Sequence, residues 1–179
     1  MKILMVSPLR TSFWRGDETA SRFVTASAPV HHLEDFHPGD RFVTPEREVT
    51  EAEIVAFARE YDPQHFHTDP ASAAQSVFGR HVASGWHTAA LTMRLWLEHG
   101  PQIAGGMIGL GVEELRWGPL VPGDRIRVEG EILEVRPSSS GAPRGVVRLR
   151  VRTLNQRDEE VQHMVPAILV ASRGATPPG

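Results

Sequence analysis

The sequence predicts an α+β fold in which a single antiparallel sheet curls around one long central helix. Three observations carry that expectation. Residues 86–99 hold Trp86, Ala89, Ala90, Leu91, Met93, Leu95, Trp96 and Leu97, apolar side chains on almost every helical face, as in a helix buried on most sides. Four segments with strand character follow, over residues 107–117, 125–135, 145–154 and 160–171. The tripeptide Pro-Gly-Asp occurs at 38–40 and again at 122–124, each time just before an alternating segment. Its Pro and Gly occupy the places a type II turn prefers.

Taken in chain order, residues 1–31 show neither helical nor strand period and are expected to form a poorly ordered arm. The alternative is a segment that docks on a partner subunit through Phe13, Trp14 and Phe23. The domain proper is expected over residues 32–173, with 174–179 as a tail. Regular structure should start near His37-Pro38-Gly39-Asp40, which leads into a strand over 41–49. Thr50-Glu51-Ala52-Glu53 has the form of a capping box, and Ile54, Phe57 and Ala58 follow at helical spacing. That helix should stop at Asp62-Pro63, because the residue before proline is pushed out of helical geometry.

Residues 62–82 read as irregular apart from a helical turn over 69–75. Ser84-Gly85 then opens the central helix and Gly100-Pro101 closes it. Toward the end of the chain, Val147, Leu149 and Val151 alternate with Arg148, Arg150 and Arg152, so segments 145–154 and 160–171 suggest a hairpin with one wet face. Residues 137–143 form the loop before it.

Composition narrows the chemistry. The 179 residues suit one domain, since domains hold about 100 to 200 residues. There is no cysteine, which excludes disulfides, thiolate metal sites and a Cys nucleophile and fits a reducing cytoplasm. Lys2 is the only lysine among the 19 basic residues, leaving 18 arginines and almost excluding a Schiff-base or P-loop lysine. A formal charge of -3 makes no case for a nucleic-acid or membrane-surface partner. The apolar start at Met1 to Val6 is broken by Ser7, Pro8 and Arg10, too short for a signal-peptide core. No run reaches the roughly 20 apolar residues of a membrane span, so a cytoplasmic location is expected.

Asp62-Pro63-Gln64-His65-Phe66-His67 is the most informative stretch, because it sets a carboxylate and an imidazole five residues apart in a stiff loop after a helix. Such a loop can fold back until both side chains share one water molecule. Taken alone, the same residues read as a helix terminator followed by surface histidines. His65, His67, His81 and His87 also raise a metal alternative, since His65-x-His67 on a strand would put both rings on one face. No glutamate follows at ligand spacing and no cysteine assists, so no metal is assigned. His65 and His87 are instead expected to line a pocket or to be hydrogen-bonded.

The run from Phe57 to Pro70, with Phe78, Val82, Ala83, Ser84, Gly85 and Trp86, resembles the MaoC-like dehydratase family, which includes the (R)-specific enoyl-CoA hydratases. More weakly, the resemblance extends over residues 33–172. It implies the hotdog fold, a dimer or higher homo-oligomer, and active sites near the subunit interface. In the family's Asp-x-Asn-x-x-His pattern, Asp62 matches the catalytic aspartate and His67 the catalytic histidine. Gly85 matches the glycine whose backbone N–H faces the thioester carbonyl, although by itself it reads only as the neighbour of a capping serine. Gln64 stands where Asn is usual, His65 where Pro is usual and Ser84 where His is frequent. Tyr61, Gln64, His65, Ser84 and Trp86 are assigned to orientation of the pair or to the pocket wall.

The implied chemistry is reversible addition of water to the double bond of a 2-enoyl thioester carried on CoA or acyl carrier protein. A carboxylate and an imidazole, with ordinary pKa values of about 4 and about 6.5, can both hold the water. Charge that builds on the thioester oxygen needs a donor already aimed at it, worth about 3 to 4 kcal/mol. The CoA thioester is the substrate, and no cofactor is expected. Two other functions remain open at this level: a hotdog thioesterase using carboxylate-activated water, and a non-catalytic hotdog binding subunit.

Overall fold

Both Pro-Gly-Asp turns close in the same way. Gly39 and Gly123 take φ values of +90° and +84°, where a side chain would be strained. The buried carboxylates of Asp40 and Asp124 accept from the His37 N–H at 2.9 Å and the Val121 N–H at 3.1 Å. Each turn delivers the chain into the sheet. The structure is a computed structural model, and it describes residues 30–174. Residues 1–29, with the expected arm and its docking alternative, and 175–179 of the expected tail lie outside the described residues.

Ordered chain starts earlier than His37. His31, assigned to the arm, is buried, and it bonds through its backbone to Gln102 and Ala104. A 3-10 turn at Leu33–Asp35 then sends Leu33 and Phe36 into the core. The expected strand over 41–49 is two short ones, β1 (Arg41–Val43) and β2 (Arg47–Glu48), both antiparallel to β4. The break falls at residues 44–46, where Pro45 has no N–H for a ladder. The buried Thr44 takes over part of the pairing, its Oγ1 accepting from the Val128 N–H at 2.9 Å.

Helix α1 (Glu51–Tyr61) begins at the expected capping box, with Glu53 N–H to Thr50 Oγ1 at 3.3 Å and Thr50 N–H to Glu53 Oε1 at 3.0 Å. Ile54 and Ala58 are its buried residues. Within residues 62–82 a single helical turn, α2 (His65–Thr68), stands where irregular chain was expected, and the helical turn expected over 69–75 is present as a single-turn helix capped by the Asp69 carboxylate, α3 (Pro70–Ala73).

Helix α4 (Gly85–His99) is the central helix. Its inner face, His87, Thr88, Leu91, Thr92, Leu95 and Trp96, packs into the core with Phe42, Val128, Ile132, Val147, Leu149, Met164 and Ile168. Its burial is one-sided, contrary to the expectation: Trp86, Met93 and Leu97 are 61%, 39% and 53% exposed.

The sheet runs β1-β4-β5-β6-β3, with β3 (Ile108–Trp117), β4 (Arg125–Pro137), β5 (Arg144–Leu154) and β6 (Glu160–Ala171) all antiparallel to their neighbours. The hairpin of β5 and β6 lies where the alternation placed it. Arg148, Arg150 and Arg152 point away from the core onto Glu113 (2.7 Å), Glu131 (2.7 Å) and Glu129 (3.1 Å). The arginine row is thus the solvated half of an ion-pair ladder. Strand β3 lies at the sheet edge, and its Ile108, Leu110 and Val112 are more than half exposed.

Candidate active site

Asp62 ends α1, its N–H bonded to the Ala58 carbonyl at 2.9 Å, and Pro63 forbids another helical turn. The chain then winds into α2, where the His67 N–H reaches back to the Gln64 carbonyl at 2.9 Å. This single turn brings the His67 ring back under Asp62. His67 Nε2 lies 3.4 Å from Asp62 Oδ2, with the side chains 7% and 19% exposed. The opposite ring nitrogen, Nδ1, is 2.8 Å from the Val82 carbonyl. A carbonyl only accepts, so Nδ1 carries a proton and Nε2 is left to face the carboxylate. His81, also buried, holds the turn from behind by donating from Nε2 to the His67 carbonyl at 2.8 Å.

Both oxygens of Asp62 receive a neutral donor. Gln64 Nε2 donates to Oδ1 at 2.8 Å and Ser84 Oγ to Oδ2 at 2.6 Å. Burial by itself would raise the proton affinity of Asp62, but the Ser84 and Gln64 hydrogen bonds and the adjacent His67 outweigh it and hold the carboxyl below its ordinary value. Ser84 also caps α4, accepting from the Trp86 N–H at 3.3 Å. Gly85 is the first residue of that helix, so its N–H has no intrahelical acceptor and sits at the positive helix end.

The remaining assigned residues divide. Tyr61 is exposed and its ring packs on Phe57 at 5.0 Å. His65 is exposed and sits edge-on to Phe66. Neither turns toward the pair. Trp86 is exposed beside Gly85, its ring edge-on to Trp117 at 5.0 Å. His87 is buried and stacks on Phe57 at 4.7 Å. The strand geometry behind the metal alternative does not hold, because residues 65–68 are helical, which sends His65 outward and His67 inward. Among the described residues, no group of three or more His, Asp or Glu is placed to hold a metal ion.

Sequence reasoning missed a second set of residues. Trp117 lies over Gly85 and donates from Nε1 to Gln162 Oε1 at 2.9 Å. Gln162, buried, donates in turn to Thr92 Oγ1 at 3.0 Å, and Thr92 meets Thr153 Oγ1 at 2.6 Å. The legible sign was the pair Thr88 and Thr92, polar residues one helical turn apart among the apolar residues 89–91 and 93.

Comparison with known proteins agrees with this architecture. The MaoC-like domain model matches residues 35–153. The chain is similar to the MaoC-like dehydratase from Rhodospirillum rubrum, with 46% identity and a TM-score of 0.77, over 80% of this chain and 98% of that one. It is also similar to the (R)-hydratase PhaJ1 from Pseudomonas aeruginosa, at 26% identity and a TM-score of 0.64, over 83% of this chain and 94% of that one. A Mycobacterium tuberculosis protein with a double hotdog fold shares the fold at 16% identity and a TM-score of 0.65. The match covers 84% of this chain and 47% of that one, so the chain spans about half its length. The sheet around α4 is therefore a hotdog fold, and the chain belongs to the MaoC-like domain family, a family of hydratases and dehydratases.

Proposed function

We propose that the protein adds water reversibly to the double bond of a 2-enoyl thioester carried on CoA or acyl carrier protein. The observation that supports this most directly is the Asp62–His67 pair, 3.4 Å apart and next to the first N–H of α4. A water molecule held by both groups loses a proton to His67 Nε2 while its oxygen bonds to C3 of the substrate. The π electrons move through C2 to the thioester oxygen, where the Gly85 N–H and the positive helix end stabilise the charge. Delivery of that proton from His67 Nε2 to C2 completes hydration and returns the imidazole to its neutral form, and the reverse sequence is dehydration. The addition is redox-neutral overall, so we assign no redox cofactor.

The same reading makes a second copy of the chain the partner. Strand β3 offers an open backbone edge and the apolar side chains of Ile108, Leu110 and Val112, and such edges are ordinarily covered. The exposed stripe of Met93 and Leu97 adds to the surface that a homodimer would bury. We assign no nucleic-acid or membrane partner and place the protein in the cytoplasm; among the described residues no helix is long and apolar enough to cross a membrane.

A panel of 2-enoyl-CoA thioesters of graded chain length tests the assignment. Loss of the conjugated double bond without release of thiol is the expected result. Asp62→Asn and His67→Ala should each slow it by about 10²- to 10⁴-fold. Thiol release would make the protein a thioesterase, and neither signal would make it a binding subunit.

A further inference from the structure

We infer that Ser84 is a positioning residue of this site: one hydroxyl both caps α4 and aims the Asp62 carboxylate at His67, so that Asp62 acts as a fixed anion and His67 Nε2 as the group that carries the proton. This rests on the hydration chemistry proposed above. Its geometric basis lies in the hydrogen bonds themselves. Ser84 is 1% exposed, and its Oγ lies 2.6 Å from Asp62 Oδ2 and 3.3 Å from the Trp86 backbone nitrogen. A backbone N–H can only donate, so the hydroxyl accepts from Trp86 and spends its single proton on Asp62. The bond to the carboxylate has the length of a charge-assisted O–H···O⁻ contact. Donation from the helix N–H polarises the hydroxyl and passes part of the positive helix end to the carboxylate.

The surroundings of Asp62 explain why such a device is needed. As C-cap of α1, Asp62 sits at the negative end of that helix, which disfavours an anion. His67, on α2, is the titratable group that meets it, while Gln64 and Ser84 supply neutral donors from the connecting loop and from α4. Ser84 and His67 converge on the same oxygen, Oδ2. Protonating that oxygen would set its new O–H against a donor, and rotating the carboxyl would break the Gln64 bond as well. Asp62 is therefore locked in charge and direction. The proton that moves during the reaction is left to His67 Nε2, whose ring is fixed by the Val82 carbonyl.

The test combines titration of the ¹³C-labelled Asp62 carboxyl by NMR with steady-state kinetics on full-length Ser84→Ala, Ser84→Gly and Ser84→Thr. Glycine retains most of the capping preference of serine but has no hydroxyl, which separates the cap from the donor. The Asp62 midpoint should rise by roughly one pH unit in the Ala and Gly variants and stay near wild type in Thr. In the same two variants kcat should fall by about 10- to 100-fold with KM little changed, and Thr should recover most of the rate. In an Asp62→Asn background, Ser84→Ala should cost no further rate. An unmoved Asp62 midpoint in both the Ala and Gly variants overturns the proposal, whatever happens to their melting temperatures. A wild type inactive on every enoyl thioester would sink the proposed function, while the carboxyl titration would still decide whether Ser84 holds Asp62.

Discussion

Trp117 lies so close against Gly85 that a methyl group placed on that glycine would stand 2.5 Å from Cδ2 of the indole. The last residue of β3 and the first residue of α4 are thereby interlocked. The indole is not free to yield, because its N–H is held by the buried Gln162. The room beside the Gly85 Cα is consequently set by a side chain 32 residues away, which is itself anchored in the core.

Gly85→Ala should therefore damage the protein twice. The added carbon forces the indole off its seat or breaks the Trp117–Gln162 hydrogen bond, an overpacking cost of roughly 1 to 3 kcal/mol. It also displaces the wall beside the N–H assigned to the thioester oxygen, so kcat should fall along with stability. Urea unfolding monitored by tryptophan fluorescence reads the first effect and the hydration assay the second. A variant that unfolds at the wild-type midpoint would show that the ring relaxes freely, and the interlock would be refuted.

Gln162→Leu tests the anchor. Leucine fills a similar volume but gives up both ends of the amide, leaving the Trp117 N–H without its acceptor and taking one of two donors from Thr92 Oγ1, which still donates to the Thr88 carbonyl at 2.8 Å and meets Thr153 Oγ1 at 2.6 Å. Losing partners at a buried site should cost about 1 to 3 kcal/mol. Because Trp117 is about 40% exposed, water can reach part of its indole, and most of the cost should fall on Thr92 and Thr153 inside the core. Thr92→Val in the same background should lower stability further, since it also removes the hydroxyl that bonds the Thr88 carbonyl and partners the buried Thr153. A double variant more stable than Gln162→Leu alone would contradict that account.

What the sequence disclosed follows the range of the forces involved. The capping box of α1 and the two Pro-Gly-Asp turns are local, each built within four residues, and they stand where the residues put them. The Asp62–His67 approach was legible because one helical turn closes it. The single turn α2 lies below the length at which a hydrophobic period can show. The break in the first strand had a local sign, Pro45, whose missing N–H excludes it from an unbroken ladder. Ser84 on Asp62 and Gln162 on Trp117 join residues 22 and 45 positions apart, and only the closed sheet brings them together. The outer face of α4 could not be separated from its inner face, because Met93 and Leu97 are as apolar as Leu91 and Leu95 and periodicity does not say what covers a surface.

His87 should make the protein sensitive to mild acid. Burial lowers its proton affinity; the Glu53 carboxylate opposes that and the Arg47 guanidinium reinforces it. Its ring is stacked on Phe57, and its Nδ1 is buried without a hydrogen-bond partner among the described residues. The folded state therefore resists protonation that the unfolded chain accepts at the ordinary imidazole value of about 6.5. Above that value both states are neutral and the group contributes nothing to pH dependence. As pH falls below it, the unfolded state binds more protons and stability drops until the folded-state value is passed. His87→Phe keeps a ring against Phe57 and cannot titrate, so its stability relative to wild type should improve progressively from pH 7 to pH 5. Chemical unfolding of both proteins at pH 7.5 and pH 5.5 measures this directly. An identical stability difference at the two values would mean that His87 does not set the acid response.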